Sequence, residues 1–276
     1  YPAQPDSISL ATVFVETFFN GEHLQTSGTG FVIRTKVSPM LVTAGHMVTG
    51  RHPSGKCLHS QGALPNQITL TNFFGRLVVS VPLYSAHNDP NNDGPLYWLH
   101  DKPGVDVALL PLPQEAGQHA ANSLHESLWR PETYTRGIAK LIGYPEGLTN
   151  LTGENRVLPL WKTGHLANDP HFDFTNKRLA FENAPLCLVD ATTRPGLSGA
   201  PVFVVNEHGL APEWSAASAE AMSDFAAVVN ARTNPFARRT RLVGVYSGRT
   251  SESSEIGLVW KPSVIHEILA KHCANC

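Results

Sequence analysis

Short apolar stretches broken by glycine, proline and asparagine set the pattern of this chain. Ile8 to Phe18 is apolar and β-branched, Gly28 to Ile33 follows a polar turn, and Met40 to Thr43 follows Pro39. Ile68 to Leu70, Leu77 to Val81 and Val105 to Leu110 continue the series, and the run Asn88 to Gly94 reads as a loop. Strands at this spacing, with turn residues between them, predict an antiparallel barrel or sandwich. The polar stretch Gln114 to Glu132 lacks strand character and reads as a connection. Beyond it the pattern repeats, with strands predicted at Ile138 to Ile142, Gly164 to Leu166, Leu186 to Val189, Pro201 to Val205, Leu242 to Tyr246 and Gly257 to Trp260. The halves divide as 1–125 and 126–276. Two segments carry helical spacing instead. Trp214, Ser218, Met222, Phe225 and Val229 fall three to four apart on one face, between Pro212 and Pro235. A terminal helix starts near Pro262, with Val264, Ile265, Ile268 and Leu269 as its apolar face.

Composition narrows the class. With 276 residues, 42% apolar and 16% charged, the chain can bury a sizeable core and is not a disordered segment. A formal charge of -2 with no long basic run argues against nucleic-acid binding through a broad electrostatic face. The longest apolar candidate, Leu10 to Phe19, is interrupted by Glu16 and falls short of the ~20 residues a membrane-spanning helix needs. The chain begins at Tyr1 rather than Met, as a processed or excised form does, and no signal peptide can be read. Four cysteines (Cys57, Cys187, Cys273 and Cys276) are too few for a disulfide scaffold, though one or two bridges fit, such as one from the C-terminal pair to Cys57 or Cys187. A secreted or periplasmic location is favoured over a cytoplasmic one, and the oligomeric state stays open.

Three short segments carry chemistry. They are Leu41-Val42-Thr43-Ala44-Gly45-His46, Asp106-Val107-Ala108-Leu109-Leu110, and the stretch from Thr192 to Val202 that holds Gly196-Leu197-Ser198-Gly199. Each alone has a bland explanation: a structural histidine after a strand, a turn aspartate, a chance Gly-x-Ser-Gly loop. Their order, His then Asp then Ser, is that of one of the three unrelated triad plans. His46 and Asp106 lie 60 positions apart and Asp106 and Ser198 lie 92 apart, so one half would supply base and orienter and the other the nucleophile. A serine hydroxyl is a poor nucleophile near neutral pH and needs a base within hydrogen-bond reach. Histidine titrates in that range, and a carboxylate behind its ring fixes the tautomer.

With these segments in place, the chain resembles the trypsin-like serine proteases, most closely the bacterial branch of glutamyl endopeptidases and Deg-type proteases. The resemblance also rests on Gly28-Thr-Gly-Phe-Val-Ile, Ile142-Gly-Tyr-Pro145, Gly196-x-Ser-Gly-Ala-Pro-Val-Phe203, Val243-Gly-Val-Tyr-Ser-Gly248 and Ile256-Gly-Leu-Val-Trp260. It implies an all-β fold of two six-stranded antiparallel β-barrels of the chymotrypsin type, with an inserted helix and a C-terminal helix. It implies a serine endopeptidase with a polypeptide substrate and no cofactor, with His46, Asp106 and Ser198 as the triad and the backbone N–H groups of Gly196 and Ser198 as the oxyanion hole. Its specificity pocket would draw on Thr192, Thr193, Tyr246, Ser247, Gly248 and Arg249.

The chain departs from the digestive and clotting members in two ways. Leu197 stands where they place an Asp before the nucleophile, so no charge pair with a freed N-terminus is expected, and Tyr1 is not expected to act as a switch. Thr192 stands six residues before Ser198, where a Lys- or Arg-preferring enzyme carries Asp. Tyr246 replaces the His of glutamyl endopeptidases, so a strict preference for Glu is not expected either, although Arg249 and Thr193 could serve an acidic side chain. No peptide-binding module is expected after the second half, which leaves target choice to the cleft, a partner or missing segments. His272-Cys273-x-x-Cys276 gathers three metal-ligand types but no complete tetrahedral set, so no metal is expected. Arg232, Arg238, Arg239 and Arg241 form a basic cluster with a solvated loop as its simplest reading. Two other functions stay open: a non-catalytic binding module on the same fold, and a protease confined to its own precursor.

Overall fold

The structure, a computed structural model, describes residues 6–71, 78–113, 123–124, 129, 138–147, 150–152, 156–206, 239–251 and 253–273. The inserted helix read between Trp214 and Val229, most of the connection from Gln114 to Glu132, the 125/126 boundary, and Tyr1, Arg232, Arg238 and Cys276 lie outside the described residues.

A single helical turn, α1 (Ser7–Ala11), opens the first half, where the apolar pattern alone predicts strand. The side chain of Asp6 caps it by accepting from the Ile8 N–H at 2.8 Å, a local bond that competes with an extended start. Then follow β1 (Thr12–Phe19), β2 (Glu22–Arg34), β3 (Pro39–Thr43), α2 (Gly45–Thr49), β4 (Gln67–Thr71), β5 (Val78–Pro82), β6 (Trp98–Leu99) and β7 (Ala108–Pro111). These strands form one seven-stranded antiparallel sheet in the order β5-β4-β1-β2-β3-β7-β6. It curls as a half-barrel: its two end strands, β5 and β6, do not pair with each other among the described residues.

The second half closes fully. Its barrel takes β8 (Ile138–Gly143), β11 (Leu160–Leu166), β14 (Leu186–Asp190), β15 (Pro201–Asn206), β16 (Arg239–Arg249) and β17 (Ile256–Trp260) in the cyclic order β11-β14-β17-β16-β15-β8. Two small hairpins sit outside it, β9 (Asn150–Thr152) with β10 (Arg156–Leu158), and β12 (Phe174–Asn176) with β13 (Phe181–Ala184). The terminal helix, α3 (Pro262–His272), starts on proline at its first turn and buries Val264, Ile265, Ile268 and Leu269. The all-β, two-barrel architecture that the resemblance implies is present, except that the first half is a seven-stranded half-barrel rather than a closed six-stranded barrel.

Burial explains why the first-half strands read as unbroken apolar runs rather than alternating ones. Side chains of a strand point to opposite faces in turn. On β2 and β3, Phe31, Ile33, Met40 and Val42 join a cluster shared with Leu186, Phe203, Trp260 and α3 of the second half. Their alternates Val32 and Leu41 face the half-barrel's own interior with Val15, Ile68 and Leu110. A sheet covered on both faces selects apolar residues at every position. The same layer packs the two halves against each other, which fixes where the loops at their seam lie.

Candidate active site

Each site residue is delivered by a strand end or the turn after it. β3 runs into α2, whose first turn carries His46, and Gly50 (φ 66°) ends that helix by returning its N–H to the His46 carbonyl at 3.0 Å. Asp106 lies just before β7, which pairs with β3, so the register Thr43↔Ala108 sets the carboxylate beside His46. One carboxylate oxygen of Asp106 accepts the His46 backbone N–H at 2.8 Å. The other lies 2.6 Å from ring Nδ1 of His46 and also accepts the Ser247 hydroxyl at 2.9 Å. Gly45 permits the approach, since a Cβ there would lie 3.0 Å from the same carboxylate.

The electrostatics follow from these contacts. Asp106 is only 4% exposed. Burial alone would raise its pKa, but the charge on His46, the bonds from the His46 ring and N–H, and the Ser247 hydroxyl outweigh it and hold the carboxyl below its ordinary range. For His46, burial disfavours the imidazolium, yet the Asp106 charge and hydrogen bond prevail and the pKa rises above the ordinary histidine value. With Nδ1 committed to the carboxylate, the basic lone pair of neutral His46 sits on Nε2.

Ser198 sits between β14 and β15 on a loop whose peptide planes are tied down one after another. The Pro195 carbonyl accepts the Glu146 N–H at 2.6 Å, and the Gly196 carbonyl accepts the Thr29 hydroxyl at 2.8 Å. The Leu197 carbonyl accepts the Ala200 N–H at 2.8 Å, and the Ser198 carbonyl accepts the Thr29 N–H at 2.8 Å. A trans peptide points its C=O and N–H in opposite directions. Tying the carbonyls of Pro195 and Leu197 therefore turns the N–H groups of Gly196 and Ser198 away from those contacts, and neither N–H has a partner among the described residues. Gly196 (φ 94°) is required here, because a Cβ would lie 2.4 Å from the Tyr144 carbonyl as well as strain the backbone.

The loop packs on the segment that leads to His46. A Cβ on Gly199 would lie 2.0 Å from the Thr29 carbonyl, 2.4 Å from the Thr43 hydroxyl and 2.9 Å from the Ala44 nitrogen, two residues before the histidine. Ser198 is part-buried, and its hydroxyl makes no side-chain hydrogen bond among the described residues; the His46 ring is bonded through Nδ1. Leu197 is wholly buried with Leu141, Val202, Val243 and Tyr246, an apolar seat in place of a charge pair.

The predicted pocket residues separate into a buried and an exposed set. Thr193 and Tyr246 are buried, and the Tyr246 hydroxyl donates to the Thr193 hydroxyl at 2.7 Å. The Tyr246 ring fills the space beside Gly257, where a Cβ would lie 2.5 Å from it. Gly248 and Arg249 are part-exposed and Thr192 is exposed. Ser247 belongs with Asp106 rather than with a pocket wall. Sequence reasoning missed that role and those of Thr29 and Glu146; Ser247 and Thr29 lie inside the quoted Tyr-Ser-Gly and Gly-Thr-Gly stretches, while Glu146 follows the Tyr-Pro stretch and acts through its backbone N–H.

The cysteines depart from expectation. Cys57 and Cys187 are free thiols, so no bridge joins either to the C-terminal pair, while Cys273 is disulfide-bonded. That bond removes the thiolate a zinc site at His272-Cys273 would need, and the His272 ring stacks on Trp98 instead. Cys187 is buried, which pushes its thiol up to about 12. Among the described residues no helix is long and apolar enough to cross a membrane.

The fold has counterparts among solved structures. The fold is shared with the Rv3671c protease in its inactive form (16% identity, TM-score 0.51, 96% of this chain and 90% of that one), a protein of M. tuberculosis. It is also shared with the protease Anisep from Arthrobacter nicotinovorans (13% identity, TM-score 0.53, 98% of each chain). The thermostable serine protease AL20 from an extremophilic microorganism is a third (11% identity, TM-score 0.51, 97% of this chain and 99% of that one). No curated protein sequence matches the chain. Residues 28–210, which hold the later part of β2, His46, Asp106 and Ser198, match the trypsin-like peptidase domain, and the chain belongs to that family.

Proposed function

We propose that the chain is a serine endopeptidase in which Ser198 attacks the peptide carbonyl, His46 is the general base and Asp106 orients and charges the imidazole. The observation that carries this reading is the buried Asp106 carboxylate bonded to both His46 nitrogens, backbone and Nδ1, at the seam where the Ser198 loop docks. As the Ser198 Oγ–carbon bond forms, the hydroxyl proton passes to His46 Nε2. When the scissile C–N bond breaks, that proton goes to the leaving amine. Water then adds to the acyl-enzyme, again giving its proton to His46, and Ser198 is released with its hydrogen. The Gly196 and Ser198 N–H groups receive the negative charge of each tetrahedral intermediate. Catalytic hydrogen bonds are often long in unliganded enzymes and close on the substrate, and such closure is what the Ser198–His46 pair needs.

The pocket reading favours a small or uncharged polar side chain before the cut bond. Tyr246 and Thr193 offer a neutral pair of hydroxyls, and the Tyr246 ring takes up depth beside Gly257. Arg249 and Glu255 act on the Tyr246 hydroxyl with opposite sign. An extended polypeptide would lie in the cleft and pair in part with an exposed strand edge. Leu197 in its apolar seat, with no charge before the nucleophile, supports a reading that puts the chain with the glutamyl-endopeptidase and Deg-type branch.

The test is labelling of the native full-length protein with a fluorophosphonate. Ser198 should label between pH 7 and 9, labelling should vanish in Ser198→Ala and after heat denaturation, and a peptide library should be cleaved after small or polar residues. A folded protein that neither labels nor cleaves is a binding module, and one that labels but cleaves only its own precursor is a self-processing enzyme.

A further inference from the structure

Thr29 makes four hydrogen bonds at the seam, two through its hydroxyl and two through its backbone, and nothing in the triad accounts for them. It is wholly buried on β2 of the first half. Its hydroxyl donates to the Gly196 carbonyl at 2.8 Å and accepts the Tyr144 N–H at 3.1 Å. Its N–H donates to the Ser198 carbonyl at 2.8 Å, and its own carbonyl accepts the Thr43 hydroxyl at 2.8 Å. One residue thus grips the carbonyls on either side of Leu197, from across the seam. Room for the hydroxyl is kept by Gly143, where a Cβ would lie 2.6 Å from it.

The physical need is plain. Gly196 is the loosest link in the loop, because glycine can turn through conformations closed to other residues. Its N–H is useful to an oxyanion only if the peptides on both sides of it are held. The Glu146 N–H holds the one before, through the Pro195 carbonyl, and Glu146 itself takes a left-handed conformation (φ 52°). The Thr29 hydroxyl holds the one after. Leu197 offers no charge to do the same work.

Resting on the serine-protease reading above, we propose that Thr29 is a positioning residue: its hydroxyl, supplied by the first half, clamps the Gly196 peptide so that the Gly196 and Ser198 N–H groups stay aimed at the developing oxyanion. Its hydroxyl bonds no triad side chain, so it should govern how fast Ser198 reacts and not the pH at which His46 becomes a base.

The experiment compares the full chain with Thr29→Val, Thr29→Ala and Thr29→Ser. One readout is the second-order rate of inactivation by a small fluorophosphonate across pH 5–9. In that reaction the Ser198 oxygen bonds phosphorus, fluoride departs with the P–F electron pair, the proton passes through His46 to water, and the phosphoryl oxygen occupies the oxyanion site. The other readout is backbone hydrogen exchange over residues 195–199, which needs no activity. Thr29→Val should lower the plateau rate about 10- to 100-fold with the pH midpoint unmoved, and Thr29→Ser should return it to within about threefold of the parent. Exchange over 195–199 should speed up in the valine and alanine proteins and not in the serine one; alanine serves if valine prevents folding. A labelled parent with an equally fast valine or alanine variant overturns the clamp and leaves the protease reading. A serine variant as slow as valine also overturns it, because packing and not the hydroxyl would then matter. An unlabelled parent overturns the protease reading and the oxyanion role with it, whatever the exchange pattern.

Discussion

The two sides of this site are held by different physics. On the base side, the buried Asp106 and the part-buried His46 are ionisable groups joined by a 2.6 Å bond and a charge interaction. On the nucleophile side, the Ser198 loop is held by neutral backbone bonds, the Thr29 hydroxyl and the apolar seat of Leu197. The first arrangement titrates and the second does not. Acid should therefore switch off reactivity by protonating His46 while the oxyanion loop keeps its shape. Related enzymes that hold this loop by a charge pair would link the two sides to one variable; here they are separate.

Substitutions can break that separation on one side at a time. Asp106→Asn attacks the base side and should have the largest effect, about a 10⁴-fold loss of turnover. The sign of its pH effect follows from the causes acting on His46. Neutral His46 is the working form, so the parent rate rises with pH and reaches half its plateau above the ordinary histidine value. Without Asp106 the burial penalty acts alone, and the midpoint should move to lower pH. A rate profile of the variant that keeps its midpoint would contradict this account of the pair.

Leu197→Asp attacks the other side. It places an unpaired charge in a wholly buried position and should cost about 3–5 kcal/mol of stability by denaturant melting. A variant as stable as the parent would mean a cation reaches that seat. Ser247→Ala is the mildest. It removes one of three donors to Asp106 and should lower kcat/KM about tenfold, about 1.4 kcal/mol, with the fold intact. Because Ser247 comes from the second half, this loss also measures how far the base side depends on its neighbour.

Much of this was legible in the chain. Strands appear wherever apolar runs are closed by glycine or proline, because such runs must be buried and turns must punctuate them. The three candidate residues were legible because each sits in a short local segment, and the structure joins two of them, His46 and Asp106. What stayed hidden depends on contacts far apart in sequence. α1 looks like strand by composition, and only the Asp6 cap makes it a helical turn. β6 is two residues long and exists only because β7 lies beside it. Thr29 reads as an ordinary strand threonine, since its partners lie 115 and 167 residues away. The same holds for Ser247, which looks like a pocket wall until the Asp106 oxygen, 141 residues distant, is seen beside it.

The three donors that converge on Asp106 have a consequence for the order of events during synthesis. Ser247 is made long after the aspartate it completes, and the Thr29 hydroxyl waits 167 residues for the carbonyl it grips. A growing polypeptide at the ribosome therefore carries its histidine and its carboxylate well before it has a finished blade. The set of bonds around Asp106 is thus complete only after the strand that carries Ser247 has been made, 141 residues later.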